Sequence, residues 1–193
     1  MMEAVADKKR ATLDDFIRVA DDGQRVELID GEIVYKTVKM PHGITQVQMS
    51  AVLGPFSRKP GGPRGPGGWW IMSEVTILYS KTEEVYQHDL SGYRREHMPE
   101  PLNDWPLRVR PDWACEILSR STARYDLVKK QRTMHLHGVP HYWIVDPAHE
   151  TLTVLRHAPE AYLQILTAAA GDVVRAEPFD EIEIPIAELF GKE

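Results

Sequence analysis

The sequence has 193 residues, of which 42% are hydrophobic and 27% charged, and its formal net charge is −6. This length and composition favour one globular domain, and no apolar run approaches the ~20 residues that a membrane-spanning helix requires. The single cysteine, Cys115, excludes an intramolecular disulfide and a cysteine-rich zinc site, and it favours a cytoplasmic protein.

The beginning of the chain predicts a helix followed by a hairpin. Residues 1–11 have no periodic pattern and are expected to be loose. Thr12 and Asp15 have the spacing of a capping box, which predicts a short helix that ends near Ala20. Asp30-Gly31 separates two β-rich runs and predicts a hairpin, because a type I′ turn needs positive φ at both central residues.

The next segment predicts a helix and then an irregular loop. After Pro41 an amphipathic helical pattern places Ile44, Val47 and Ala51 on its apolar face. Residues 60–68 consist largely of glycine and proline, so they are expected to form an exposed loop. We expect this loop to lie within a single domain over residues 12–190, because the part before it is too short for a core of its own.

The remaining chain alternates predicted strands with helical segments. The predicted strands cover residues 69–79, 85–94, 113–118, 141–145, 151–156 and 162–166. A helix capped by Ser121-Thr122 is expected to carry Leu127, Val128, Met134 and Leu136 and to end at Gly138, and a last helical turn is expected at residues 186–190. This order predicts a mixed α/β fold with a sheet flanked by helices.

Two acids in the predicted strands are candidates for chemistry. Glu116 lies in an otherwise apolar run, where a carboxylate must be paired, for example with Arg110, or bound to a metal. Asp89 ends another predicted strand and is either a turn residue or a second metal ligand. Two carboxylates from neighbouring strands suit Mg²⁺, which polarises a phosphoryl oxygen and lowers the pKa of a bound water.

Basic residues nearby have two interpretations each. Lys130 follows Asp126 by four residues, which is the spacing of an exposed helical ion pair. It is alternatively the cation that orients an attacking water and offsets charge in the transition state. His42 either faces a substrate phosphate or is a polar residue at a helix start. Residues 108–132 carry seven basic and three acidic side chains, so they form a solvated face or contact a polyanion.

Several motifs in this order resemble the Uma-type putative restriction endonuclease family. They are Val26-Glu27-Leu28-Ile29-Asp30-Gly31-Glu32, His42 with Gln46, His88-Asp89-Leu90, residues 111–122, Asp126 with Lys130, and residues 138–147. The resemblance extends from about Thr12 to Phe190. It implies an α/β fold of the PD-(D/E)XK nuclease type, with a mixed β-sheet flanked by helices.

The resemblance also implies the roles of the site residues. By position, Asp89 and Glu116 would hold Mg²⁺ (or Mn²⁺). The lysine of this superfamily stands two residues after the glutamate, where this chain has Leu118; in similar families it has moved to the next helix, which indicates Lys130. Glu32 and Glu74, together with His42 and Asp126, are expected as accessory residues.

Three positions depart from the family pattern. His88 stands where the family has a proline before the aspartate, Arg120 replaces a second proline, and Met134 replaces an aromatic residue. No metal ligand is lost through these changes. Arg120 adds positive charge beside the site, and we expect it and Arg124 to contact phosphate.

These expectations describe a Mg²⁺-dependent endonuclease acting on DNA. A homodimer is expected because a duplex has two strands to cut. Two alternatives remain. One is a non-catalytic nuclease-fold protein that serves in binding or assembly, which the net acidity favours. The other is a metal-dependent hydrolase of a different anionic substrate, because a fold does not fix a function.

Overall fold

The computed structural model describes residues 10–119 and 123–192. Its helices are α1 (Leu13–Asp21), α2 (Met40–Val52) and α3 (Gln131–Leu136), with 3-10 turns at Gly54–Phe56 and Ile186–Phe190 and a π-helical segment at Tyr125–Lys130. Its strands are β1 (Val26–Ile29), β2 (Glu32–Tyr35), β3 (Trp69–Ser73), β4 (Thr76–Tyr79), β5 (Glu84–Gln87), β6 (Leu90–Arg94), β7 (Trp113–Ile117), β8 (His141–Asp146), β9 (Thr151–His157), β10 (Tyr162–Ala169), β11 (Val173–Val174) and β12 (Ile184–Pro185).

The larger sheet is mixed, as predicted. Its six strands lie in the order β10-β9-β8-β7-β6-β3, and every neighbouring pair is antiparallel except β7 and β8, which are parallel. Parallel neighbours need a crossover connection, and the chain between them contains the π-helical segment and α3. This crossover carries Lys130 back over the sheet that holds Glu116.

A second sheet of four antiparallel strands lies in the order β2-β1-β5-β4. The single strands predicted at 69–79 and 85–94 are therefore wrong, because each is divided between the two sheets. Glu74 has φ of +56°, outside the extended region, and its N–H donates to the His88 carbonyl at 3.0 Å. Both runs thus change sheets at the same level, and Asp89 lies at the break between β5 and β6.

The local signals near the start of the chain are confirmed. Thr12 and Asp15 form the reciprocal capping box of α1. Asp30 and Gly31 have φ of +52° and +75° in the hairpin that joins β1 and β2. Residues 60–68 contain neither helix nor strand, and residues 60–65 are exposed. The division into a loose segment 1–11 and one domain 12–190 stays a prediction.

Two helices orient their apolar faces opposite to the prediction. In α2 the buried residues are His42, Thr45 and Met49, whereas Val47 is 67% exposed. Along the crossover helix Asp126, Lys130 and Thr133 are buried, while Leu127, Val128 and Leu136 are exposed and Met134 is buried as predicted. Polar side chains turn inward in both helices because they reach other buried polar groups. The proposed cap at Ser121-Thr122 lies outside the described residues.

The C-terminal third follows the prediction in outline. Strands β9 and β10 form the expected antiparallel meander, and Ile186–Phe190 is a short 3-10 turn. The small β11–β12 pair was not predicted, since each strand has two residues. Across residues 10–119 and 123–192, no helix combines the length and the apolar character that crossing a bilayer demands.

Strand β7 lies at the centre of the larger sheet and is buried along its whole length, as predicted. Trp113, Cys115 and Ile117 pack into an apolar core with Trp143 and Phe179. Ala114, and therefore Glu116 two residues later, point to the opposite face. One face of this strand thus contributes to the core and the other to a polar pocket.

Candidate active site

A small pocket brings the three principal candidates together. Asp89, Glu116 and Lys130 line it, together with Glu27, Lys36, Thr37, Val38, His42, Ile117, Ser119 and Asp126. The volume open to a water-sized sphere is about 10 Å³, which is the room of roughly one water molecule. The carboxylates converge because Leu90 pairs with Cys115 across β6 and β7, so the residues beside this pair are also neighbours.

Asp89 is held by three donors. Its Oδ1 accepts from the Lys36 ammonium at 3.0 Å, and its Oδ2 accepts from the backbone N–H of Ile117 at 2.7 Å and from His42 Nε2 at 3.0 Å. Burial alone would raise the pKa of this carboxyl, but Lys36 and then His42 hold the pKa well below its ordinary value. Asp89 is therefore ionised throughout the neutral range.

Glu116 is held by one histidine and one lysine. Its Oε1 accepts from His88 Nδ1 at 2.6 Å and from Lys130 Nζ at 2.9 Å. Burial raises the pKa of Glu116 to about 7, and the Lys130 ammonium only partly offsets that effect. The alternative pairing with Arg110 is wrong, since that guanidinium contacts Asp112 at 3.4 Å.

Lys130 is a buried cation shared among carboxylates. Only 1% of the residue is exposed, and its Nζ lies 2.9 Å from Glu27, 2.9 Å from Glu116 and 3.1 Å from Asp126. Burial would lower the pKa of Lys130, but these carboxylates raise it well above its ordinary value. The predicted pair with Asp126 forms, yet the interpretation of it as an exposed surface pair is wrong.

Two groups that line the pocket, Glu27 and Lys36, and one behind it, His88, were not among the predicted site residues. Glu27 accepts from the backbone N–H of Gln87 at 2.7 Å as well as from Lys130. Lys36 contacts Asp89, as described above. His88 lies behind Glu116, and burial lowers its pKa to about 3, so its imidazole is neutral. Its Nδ1–H donates to Glu116, and its Nε2 accepts from the Tyr79 hydroxyl at 2.7 Å.

A sequence signal existed for Glu27 and not for Lys36. Glu27 is an acid inside an apolar strand run, the same pattern that singled out Glu116, and all four residues of β1 are buried. Lys36 follows β2 in a segment with no apolar periodicity. His88 was visible as a departure from the family pattern, but nothing local connected it to Glu116.

Both the sequence and the fold of the chain resemble known proteins. A sequence model of the Uma2 family, described as putative restriction endonucleases, matches residues 13–187. The chain belongs to the Uma2 family. A solved putative nuclease of DUF820 from Anabaena variabilis ATCC 29413 is similar in structure, with a TM-score of 0.71 and 23% identity over 93% of this chain and 97% of that chain. No curated protein sequence matches the chain.

Membership of the Uma2 family and the likeness to the solved putative nuclease confirm the predicted nuclease-like α/β fold. At 23% identity the solved structure shows the fold alone. The family description indicates nuclease activity, so the pocket has to be considered as a candidate nuclease site.

Of the four accessory residues expected from the Uma2 pattern, two line the pocket and two do not. His42 and Asp126 line the pocket. Glu32 lies outside the pocket-lining set, where it accepts from the Tyr125 hydroxyl at 3.2 Å. Glu74 also lies outside that set, pairs with Arg25 and accepts from Gln46 at 3.5 Å, while Gln46 donates to the Asp89 carbonyl at 3.0 Å.

Of the two arginines expected to contact phosphate, the structure describes only Arg124. Arg124 is exposed and is not among the lining residues. Arg120 lies outside the described residues. Whether either side chain contacts a substrate therefore stays a prediction.

The pocket chemistry fits a hard divalent cation. Among the described residues, four carboxyl groups and two ammonium groups line the pocket, so the negative charges of these side chains exceed the positive ones when every carboxyl is ionised. Within residues 10–119 and 123–192, no three His, Cys, Asp or Glu side chains are grouped to hold a metal. Mg²⁺ needs fewer protein ligands than that, because it takes one or two carboxylates and completes its shell with water and substrate phosphate. The carboxylates of Asp89 and Glu116 match that requirement in number and type.

Proposed function

We propose that this Uma2-family protein is a Mg²⁺-dependent endonuclease that hydrolyses phosphodiester bonds in DNA. The observation that carries this proposal is the meeting of Asp89, Glu116 and Lys130 in one buried polar pocket. Three charged side chains from a strand break, a central strand and a crossover helix would not be buried together for stability alone, because apolar residues would serve that purpose better.

Asp89 and Glu116 would hold the ion, with Mn²⁺ as an alternative metal. When bound, Mg²⁺ polarises a phosphoryl oxygen and lowers the pKa of a water molecule. Glu116 is suited to this role, because its pKa of about 7 reflects a buried negative charge that a cation would stabilise. His88 fixes one oxygen of that carboxylate and so orients the other.

Lys130 supplies a fixed positive charge beside the carboxylates. Its ammonium is held by Glu27, Glu116 and Asp126, so its position is determined before a substrate binds. A cation preorganised in a buried pocket can offset the charge that develops on the phosphoryl group without reorganisation cost. Glu27 and Asp126 then act as the residues that position this lysine.

The proposed function also includes a substrate class and an oligomeric state. Nuclease family membership supports a nucleic acid substrate. We propose DNA, with phosphate contacts from Arg120 and Arg124, and a homodimer whose two pockets act on the two strands. We also propose a cytoplasmic location, which the single cysteine, Cys115, supports. Sedimentation of the purified protein would test the dimer.

A direct test compares the wild type with Glu116→Gln. Supercoiled plasmid is incubated with each protein and Mg²⁺ or Mn²⁺, and metal binding is measured by calorimetry. We expect nicking by the wild type and its loss in the variant, with the heat of metal binding reduced. Glu181→Gln makes the same change on an exposed carboxylate and should behave as the wild type. Metal binding without nicking of any nucleic acid would indicate a hydrolase of another anionic substrate.

A non-catalytic nuclease-fold protein is the second candidate. It is favoured by the way in which the pocket's own cations, Lys36 and Lys130, already neutralise both metal ligands. A protein of this kind would show neither metal heat nor nicking in the same experiment. If neither a heat of metal binding nor nicking is observed, a binding or assembly role would be the better assignment.

A further inference from the structure

We propose that Lys36 is an internal cation that occupies Asp89 until a divalent ion displaces it, so that metal and nucleic acid bind to this pocket cooperatively. The inference rests on the proposed function and adds a regulatory element to the same site. It concerns a residue that the sequence patterns did not single out.

Lys36 reaches the pocket from the segment between β2 and α2. Its side chain is 8% exposed, and its Nζ lies 2.5 Å from the Gln87 carbonyl oxygen and 3.0 Å from Asp89 Oδ1. Gln87 is the last residue of β5, and Asp89 lies in the break between β5 and β6. The Lys36 ammonium therefore binds directly to Asp89, one of the two proposed metal ligands.

The two lysines of the pocket are held differently. Lys130 contacts three carboxylates and lies on a helix that packs over the sheet. Lys36 contacts one carboxylate and one carbonyl, and the residues on either side of it, Tyr35 and Thr37, are exposed. Moving the Lys36 side chain out of the pocket would therefore disturb little of the core, whereas moving Lys130 would leave three buried carboxylates uncompensated.

An ammonium and a divalent ion compete for Asp89. Two cations within bonding distance of the same buried carboxylate repel each other strongly, because the surroundings screen charge poorly. Asp89 Oδ2 is already engaged by Ile117 N–H and His42, so Oδ1, the atom that Lys36 contacts, is the oxygen that an ion would take. Metal binding should therefore require Lys36 to leave.

The displaced ammonium needs a new anionic partner. The phosphate groups of a nucleic acid at the mouth of the pocket would supply one, and Lys36 would then add to substrate binding. Metal binding would then favour nucleic acid binding. Nucleic acid binding would equally favour metal binding, since coupling between two ligands is reciprocal. Without nucleic acid the pocket would hold its metal weakly, which would limit the binding of ions where no substrate is present.

The test measures Mg²⁺ and Mn²⁺ affinity by calorimetry in the wild type, Lys36→Met and Lys39→Met. Methionine keeps most of the length of the lysine side chain and removes its charge. Lys39 is an exposed lysine three residues away. We expect Lys36→Met to bind the ion about 10-fold or more tightly than the wild type, as expected for removal of a charged hydrogen bond. Lys39→Met should match the wild type.

A second readout uses stability. Lys36→Met should melt at a lower temperature than the wild type without metal, and Mg²⁺ should raise its melting temperature more than that of the wild type. If Lys36→Met does not fold without metal, its Mg²⁺-dependent folding, followed by circular dichroism, takes the place of the calorimetry. Lys36→Gln removes the charge and keeps a donor, and it should also bind the ion more tightly.

The outcomes separate the two proposals. Metal binding by the wild type that is as tight as, or tighter than, that of Lys36→Met and Lys36→Gln would overturn the role of Lys36 and leave the endonuclease intact. Absence of metal heat and of plasmid nicking in the wild type would overturn the endonuclease. The inference is supported if both Lys36 variants bind the metal more tightly than the wild type does, and if an added oligonucleotide raises the affinity of the wild type for the metal.

Discussion

Strand β7 presents one apolar face and one charged face, and both are completely buried. On the apolar face Trp113 packs against Trp143 and Phe179 with ring centroids 5.4 and 5.0 Å apart. On the charged face Glu116 meets His88 and Lys130. The apolar face gains free energy by burial alone. The charged face has to recover the cost of desolvating its ions through contacts within the pocket.

This difference indicates what each face is for. Well-packed apolar residues in place of the charged cluster would stabilise the protein at least as well, so stability does not explain the cluster. The proposed metal-binding role would explain it. The contribution of the charged face should also depend on protons and metal ions, while that of the apolar face should depend on neither. The predictions below test that distinction.

The largest effect is expected on the apolar face. Trp113→Ala removes a fully buried ring and should lower the free energy of unfolding by about 4–5 kcal/mol, because a cavity remains among Trp143 and Phe179. Chemical denaturation at pH 5, 7 and 8, with and without Mg²⁺, would measure it. The loss should be the same in every condition, and a loss that varies with pH or metal would contradict the separation of the two faces.

A somewhat smaller effect is expected for Lys130→Met. The change leaves Glu27, Glu116 and Asp126 buried without their shared cation, and it should cost about 3–4 kcal/mol at pH 8. The cost should decrease towards pH 5, because the carboxyl groups can then bind protons. Denaturation curves across this pH range would follow it.

Lys129→Met is the matched control for that experiment. Lys129 pairs with Asp30 near the surface, so losing its charge should cost less than about 1 kcal/mol at any of these pH values. If Lys130→Met and Lys129→Met lower the free energy of unfolding equally, the buried cluster contributes no more than a surface ion pair.

The third prediction concerns the pH dependence of the metal-free protein. The pKa of Glu116 is about 7 in the native state, above its ordinary 4.5, so the native state binds more protons than the unfolded state between these values. The contribution of this group to stability is complete below pH 4.5 and is lost as pH rises through 7, by about 3 kcal/mol in all. Glu116→Gln should remove that slope, and an unchanged slope in the variant would refute the assignment.

The sequence was most informative where local patterns decide the structure. The capping box at Thr12, the Asp30-Gly31 turn and the buried β7 run were predictable, because each depends on residues close together in the chain. The division of the two long strands was not predictable from their composition. It depends on Glu74 adopting a positive φ opposite His88, a contact between segments that pair only in the folded sheet.

The candidate site was predictable in part for the same reason. The buried acid Glu116 was visible as an exception to its own strand, and the family pattern connected it with Asp89 and Lys130. The helix faces could not be predicted from polarity, because Lys130 is buried against Glu27, which lies far away in the sequence, and Asp126 is buried beside it. Lys36 was missed because its partner Asp89 lies 53 residues further along the chain.

The central claim is that Asp89 and Glu116 jointly hold one divalent ion at the end of β7. Diffraction from crystals grown with Mn²⁺ and a DNA oligonucleotide would test this most directly, through the anomalous signal of the metal. We predict one peak in the pocket, within bonding distance of both carboxylates, with Lys36 moved away from Asp89. A pocket without a peak, with Lys36 still bound to Asp89 under saturating metal, would contradict the claim.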